Sequence, residues 1–215
     1  MNEQLSRRII QTGIRMMEIG LTIGTGGNVS GRTEDGSGML ITPSGIPYAE
    51  LTPDQIVELD LVTLSTSSRL KPSVEIMLHR EIYLARPDVK SVVHVHSPMA
   101  IAFGVARMPL PVITDICAFS FGGTVEVADY AMSGSDLLAG NVVKALGKRN
   151  AAIMSNHGSV CVADSPEKAL ERCELLEKMC SCYIHASQIG KPTSLTDKQM
   201  AELITSLGKT YGQNK

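Results

Sequence analysis

Ser91-Val-Val-His-Val-His-Ser97 is a short apolar run in which two histidines alternate with valines. Side chains on a strand repeat every two residues, so His94 and His96 project from one face and Val93 and Val95 from the other. The run lies between apolar segments, and adjacent imidazoles taken out of water need a metal or a carboxylate to hold them. The chain has five histidines. One of them, His157 in Met154-Ser-Asn-His-Gly158, follows a second strand-like apolar run. A His-x-His pair plus one distant histidine is the three-ligand set of an open catalytic zinc site, with a position left for substrate or water. Two histidines satisfied by ordinary hydrogen bonds would give the same spacing, so the pattern alone leaves both readings open.

Upstream, Lys71-Pro-Ser-Val-Glu-Ile-Met-Leu-His-Arg80 reads as a helix start with Ser73 as N-cap and Glu75 in the first turn. A carboxylate there either answers the helix dipole or is aimed at the site. His79, four residues on, reads as its structural neighbour on the same face rather than as a ligand. Further back, Thr22-Ile-Gly-Thr-Gly-Gly-Asn-Val-Ser30 concentrates glycines, which let successive backbone N–H groups approach an anion, or simply make a tight loop. The turn Pro43-Ser-Gly-Ile-Pro47 brings the Ser44 hydroxyl and the Gly45 amide toward the same loop.

The pattern predicts an amphipathic helix over residues 2–20 and strands over 38–42, 55–62, 151–155 and 160–163. It also predicts helices over 98–106, 136–146 (capped by Ser135), 166–189 (opened by Ser165-Pro166) and 196–207. Between them, Val112 to Phe121 is largely apolar and carries one charge, Asp115, an unpaired carboxylate that would be costly if buried. Strands and helices alternate, yet several strand pairs are close enough for hairpins, so a mixed sheet flanked by helices is expected.

Composition limits the function classes. The chain of 215 residues, 43% hydrophobic, has enough apolar content for one core, and a single domain over 1–215 is expected. A net charge of −2 with scattered basic residues, and 4% aromatics, leaves neither a basic stripe nor stacking platforms for nucleic acid. No apolar signal core and no membrane-length apolar run is present, which points to a soluble, cytoplasmic protein. The five cysteines, an odd number, read as free thiols in a reducing compartment.

Taken in order, Gly24-Thr-Gly-Gly-Asn-Val-Ser30, Ile41-Thr-Pro-Ser-Gly45, Lys71-Pro-Ser-Val-Glu75, Val93-His-Val-His-Ser97, Asn156-His-Gly158 and the terminal Tyr211-Gly resemble the class II aldolase family of the fuculose-phosphate aldolase and ribulose-phosphate 4-epimerase type. The match runs across nearly the whole chain. The resemblance implies a three-layer αβα fold with a largely antiparallel or mixed central sheet, assembled as a cyclic homotetramer with active sites at subunit boundaries. It implies zinc, or manganese or cobalt, on His94, His96 and His157, with Glu75 as catalytic acid/base able to touch the metal when substrate is absent. Phosphate would sit on Thr25, Gly27, Asn28, Ser44, Gly45 and Ser73, and Tyr211 would reach into a neighbouring subunit's site. The implied reaction is cleavage of a ketose 1-phosphate, such as L-fuculose 1-phosphate, to dihydroxyacetone phosphate and an aldehyde through a metal-stabilised enediolate. Glu75 would work as a proton shuttle if burial raised its pKa toward the operating pH.

Two residues depart from the family pattern. Val74 stands where the fuculose-phosphate aldolases have a second serine, and no tyrosine occurs between Tyr83 and Tyr130, where Asp115 is the nearest candidate by position. Epimerisation, dehydration or decarboxylation of a related sugar or sugar-acid phosphate could use the same site. The non-enzymatic adducin heads share the fold but lack the metal residues, all of which this chain has.

Overall fold

The computed structural model describes residues 2–207. Its sheet has seven strands: β1 (Asn28–Arg32), β2 (Gly38–Ile41), β3 (Val57–Asp60), β4 (Ser91–Val95), β5 (Val127–Ala128), β6 (Ala151–Met154) and β7 (Gly158–Ala163). They lie in the order β3-β2-β1-β4-β7-β6-β5, with every neighbouring pair antiparallel except β5 and β6. The helices are α1 (Asn2–Glu18), α2 (Ile76–Ala85), α3 (Pro98–Ala106), α4 (Asp115–Phe121), α5 (Asp136–Leu146), α6 (Pro166–Ile189) and α7 (Asp197–Leu207).

Residue parity on the strands separates two apolar layers. Val93, Val95, Ile153 and Cys161 join residues of α1, α3, α4 and α6 in one cluster. Val92, Met154, Val160 and Val162 join residues of α2 and α5 in the other. Each face of the pleat is thus buried against its own helices, which is the three-layer arrangement expected. His94 and His96 share the parity of Val92, so they point to the layer that α2 enters.

Several helix starts follow local chemistry. The Ser135 hydroxyl accepts from the Leu138 amide and the Ser165 hydroxyl from the Lys168 amide, each satisfying a free N–H of the first turn. Ser73 does not cap α2 in this way. Its amide donates to the Thr42 carbonyl at 3.1 Å, while the Ser44 amide donates to the Lys71 carbonyl at 3.0 Å, so the chain stays extended beside the β2 exit. The helix begins only at Ile76, with Glu75 in the N-cap position (φ −100°, ψ 26°). Among the described residues, no helix is long and apolar enough to cross a membrane.

Candidate active site

The histidines reach the site from two adjacent antiparallel strands. β4 carries His94 and delivers His96 at its end. The β6–β7 turn carries His157, following Asn156 in the left-handed region (φ 52°). Their ring centroids lie 4.8 to 5.3 Å apart. Gly158 allows this approach, because a Cβ there would lie 2.3 Å from the Val95 carbonyl oxygen and 3.1 Å from carbons of both the His94 and His96 rings. On the far side, a Cβ on Gly26 would come within 3.1 Å of His96 Nδ1, and one on Gly27 (φ 68°) within 2.6 Å of the His94 carbonyl oxygen. The glycine-rich loop therefore packs directly against the histidine pair.

Glu75, 3% exposed, closes the cluster from the head of α2. Its Oε2 lies 3.0 Å from His94 Nε2 and its Oε1 lies 3.4 Å from His157 Nε2. The Asn28 amide donates to Oε2 at 3.1 Å and the Ser133 hydroxyl to Oε1 at 3.0 Å. One ligand atom from each of Glu75, His94, His96 and His157 fits within a 4.8 Å span, and these four make the metal-type group among the described residues.

The electrostatics of the cluster correct one expectation. Burial does push the Glu75 carboxyl up, but the neighbouring His94 and His157 outweigh it and hold its pKa well below the usual carboxylate range. Burial disfavours a charged His94, yet the Glu75 charge and hydrogen bond prevail and raise its pKa. Burial and the charge of His94 lower His96 to about 4, and the same two causes lower His157.

The donor set suits a divalent cation. His94 Nδ1 lies 2.9 Å from the Ser159 carbonyl, which only accepts, so Nδ1 carries a proton and Nε2 is the ring's one available lone pair. That Nε2 faces His96 Nε2 at 3.0 Å. A carbonyl behind a histidine that fixes the tautomer of the inward nitrogen is the usual support of a metal ligand, and three imidazoles with a carboxylate are typical zinc donors. The proton that Glu75 favours on His94 Nε2 marks where positive charge is stabilised.

The expected phosphate residues gather on neighbouring segments. Residues 42–44 pair antiparallel with 71–73, which sets Thr42 against Ser73 and Ser44, just before Gly45 (φ 74°), against Lys71. The Tyr48 hydroxyl then ties this segment to the glycine loop by donating to the carbonyls of Gly26 and Gly27. Thr25, Ser44 and Gly45 are exposed. The Asn28 side chain is turned inward, between Glu75 and His79.

Asp115 departs from expectation. The segment around it is helix α4, whose buried face is Cys117, Ala118 and Phe121, and Asp115 opens that helix as an exposed residue. It carries no burial cost in the chain and is absent from the four-residue cluster. Tyr211 lies outside the described residues. Sequence reasoning missed Ser133, Ser30 and Tyr83. Glu75, His79 and Tyr83 recur every four residues along one helix face, a polar stripe that could have signalled the last.

Residues 7–184 match the family model described as the class II aldolase and adducin N-terminal domain. The chain is 37% identical over 210 residues to an L-fuculose phosphate aldolase of Escherichia coli O6:H1, covering 97% of this chain and 96% of the relative. It is 31% identical over 210 residues to a 5-methylthioribulose-1-phosphate/5-deoxyribulose-1-phosphate aldolase of Rhodospirillum rubrum, covering 98% and 93%. A solved L-fuculose 1-phosphate aldolase structure superposes with a TM-score of 0.90 at 32% identity, covering 95% of this chain and 96% of that one. With the same fold and a family match across most of its length, the chain belongs to the class II aldolase and adducin N-terminal domain family.

Proposed function

We propose that this protein is a metal-dependent aldolase that cleaves a ketose 1-phosphate, with L-fuculose 1-phosphate as the leading substrate, to dihydroxyacetone phosphate and an aldehyde. The observation that carries the reading is the convergence of Glu75 with His94, His96 and His157 inside a 4.8 Å span. Adducin-type binding modules would have no use for such a group. Relatives named as aldolases of fuculose and ribulose phosphates support the same class of reaction.

On this reading His94, His96 and His157 hold the ion, zinc foremost, with manganese or cobalt as alternatives. When bound, it supplies Lewis acidity toward the ketose carbonyl and adjacent hydroxyl oxygens. The phosphate sits on the loops carrying Thr25, Gly27, Asn28, Ser44, Gly45 and Ser73, where amides and hydroxyls recognise an anion. Breaking the C3–C4 bond leaves its electron pair on the three-carbon fragment as an enediolate and turns C4 into the aldehyde carbon as its hydroxyl loses a proton. Glu75 handles the proton at C3, delivering it in cleavage and removing it in synthesis. As a carboxylate Glu75 removes that proton in synthesis; in cleavage it first takes up a proton from solvent and gives it to C3, balancing the one the C4 hydroxyl releases. Tyr211, reaching in from a neighbouring subunit, and Asp115 serve the C4 oxygen.

The reading takes the chain as one domain of a cyclic homotetramer in the cytoplasm. Exposed Ile116, Phe119, Tyr130, Met132 and Leu137 favour burial against other subunits. The free cysteines favour a reducing compartment. The test is synthesis. Metal-loaded protein incubated with dihydroxyacetone phosphate and a panel of short aldehydes is expected to yield new ketose phosphates. No product with any aldehyde, alongside conversion of a sugar phosphate without carbon–carbon cleavage, would favour an epimerase, dehydratase or decarboxylase instead.

A further inference from the structure

Behind Glu75 lies a chain of buried polar side chains, of which the proposed chemistry uses only Asn28, at the phosphate loop. Asn28 Nδ2 donates to Glu75 Oε2, Asn28 Oδ1 meets His79 Nε2, His79 Nδ1 lies 2.6 Å from Ser30 Oγ, and Ser30 Oγ lies 2.7 Å from the Tyr83 hydroxyl. His79 and Ser30 are fully buried, Tyr83 is 1% exposed and Asn28 4%. α2 supplies Glu75, His79 and Tyr83 from one face, and β1 supplies Asn28 and Ser30 from alternate positions that point the same way.

We propose that His79, braced by Ser30 and Tyr83, is a positioning residue for Glu75, fixing which end of the Asn28 amide meets the carboxylate. The inference rests on the reading of Glu75 as the acid/base. The polarity follows step by step from the contact between Asn28 Nδ2, a nitrogen that only donates, and Glu75 Oε2 at 3.1 Å. Asn28 must therefore turn its NH2 group to Glu75 and its carbonyl to His79. His79 Nε2 must then carry a proton, and a neutral ring leaves Nδ1 as acceptor. Ser30 donates to Nδ1, and the Tyr83 phenol donates to Ser30. Burial keeps His79 and Tyr83 suited to these roles, holding His79 neutral, its pKa lowered to about 3, and the Tyr83 phenol protonated. Were the His79 proton on Nδ1 instead, Asn28 would turn over and set its carbonyl oxygen against the carboxylate. Every member has one arrangement that satisfies all the others, so the carboxylate's orientation is set without contact to substrate.

Two measurements test this in the full-length, metal-loaded protein. Nitrogen-15 NMR of labelled histidine is expected to show His79 as the neutral Nε2–H tautomer from about pH 6 to 9, the range around an ordinary imidazole pKa. An Nδ1–H tautomer or a charged ring would overturn the proposal. For activity on L-fuculose 1-phosphate, His79→Gln places an amide N–H near the Nε2 position, whereas His79→Leu offers no donor. The Leu variant is expected to lose roughly ten- to a hundredfold in kcat with KM and metal content nearly unchanged, as small misplacements of catalytic groups do, and Gln is expected to restore most of the loss. Unchanged kcat in the Leu variant overturns the role, and so does an equal loss in both variants tracking lost fold or metal. If neither variant folds, Tyr83→Phe removes only a hydroxyl and is expected to lower kcat several-fold and shift the His79 signals, a loss milder than His79→Leu because one hydrogen bond is removed. Neither change occurring would reject the chain. Full turnover by Glu75→Gln would instead overturn the acid/base reading, while the tautomer result stands independently of it.

Discussion

Glu75 Oε2 and His94 Nε2 stand 3.0 Å apart, both side chains almost wholly out of solvent. Each shifts the other toward its charged form. A carboxylate placed so close to the imidazoles can serve either the metal or the substrate's proton. Glu75→Gln keeps the shape and removes the proton-accepting charge. The expected outcome is a metal content still near that of the wild type, held by three histidines, with turnover lower by about a hundredfold or more. Near-normal turnover would remove Glu75 from the mechanism.

Gly158 is expected to be intolerant of even one methyl group. Val95 and Ser159 are paired across β4 and β7, so the backbone that a Cβ would strike has little room to move. Gly158→Ala is predicted to destabilise the fold by about 1–3 kcal/mol, the usual cost of overpacking, and to weaken metal retention by displacing the His94 and His96 rings. Denaturant unfolding and metal analysis together check this. A wild-type midpoint with full metal would show that the rings do not depend on that contact.

Asp115→Asn tests the candidate that replaces the missing tyrosine. Because Asp115 is exposed at the head of α4, a role must come through the assembly rather than through burial in its own chain. The predicted result is a clear fall in turnover with metal content and thermal midpoint unchanged. Wild-type kinetics would leave Asp115 as a residue that merely suits the start of a helix.

Removal of residues 208–215 addresses Tyr211. A residue acting across a subunit boundary matters to catalysis and little to folding, so the truncated chain is expected to keep its assembly and metal while losing turnover. An unchanged rate would show that the tail carries no acid/base group.

The legible parts of the sequence were those governed by local rules. The β4 run announced its two faces because alternation of valine and histidine has one period and both layers are apolar. Ser135 and Ser165 announced their helices because a cap acts within its own turn. Ser73 looked the same in sequence, but a hydrogen bond to Thr42, about thirty residues away, held it extended. The stretch from Val112 to Phe121 could be read as buried because a short apolar run does not distinguish strand from helix, and in a helix Asp115 falls on the wet side. The link from Glu75 through Asn28 to His79 was hidden for a different reason. It joins a strand and a helix nearly fifty residues apart, and only the fold sets their spacing.

The most direct measurement is cleavage of L-fuculose 1-phosphate by protein stripped of metal and then reloaded with zinc, manganese or cobalt. The account predicts about one ion bound per chain, release of dihydroxyacetone phosphate only in the loaded state, and loss of both on replacing His94, His96 or His157. Metal-free protein that cleaves the sugar as fast as the loaded form, or three-histidine variants that keep full activity, would contradict it.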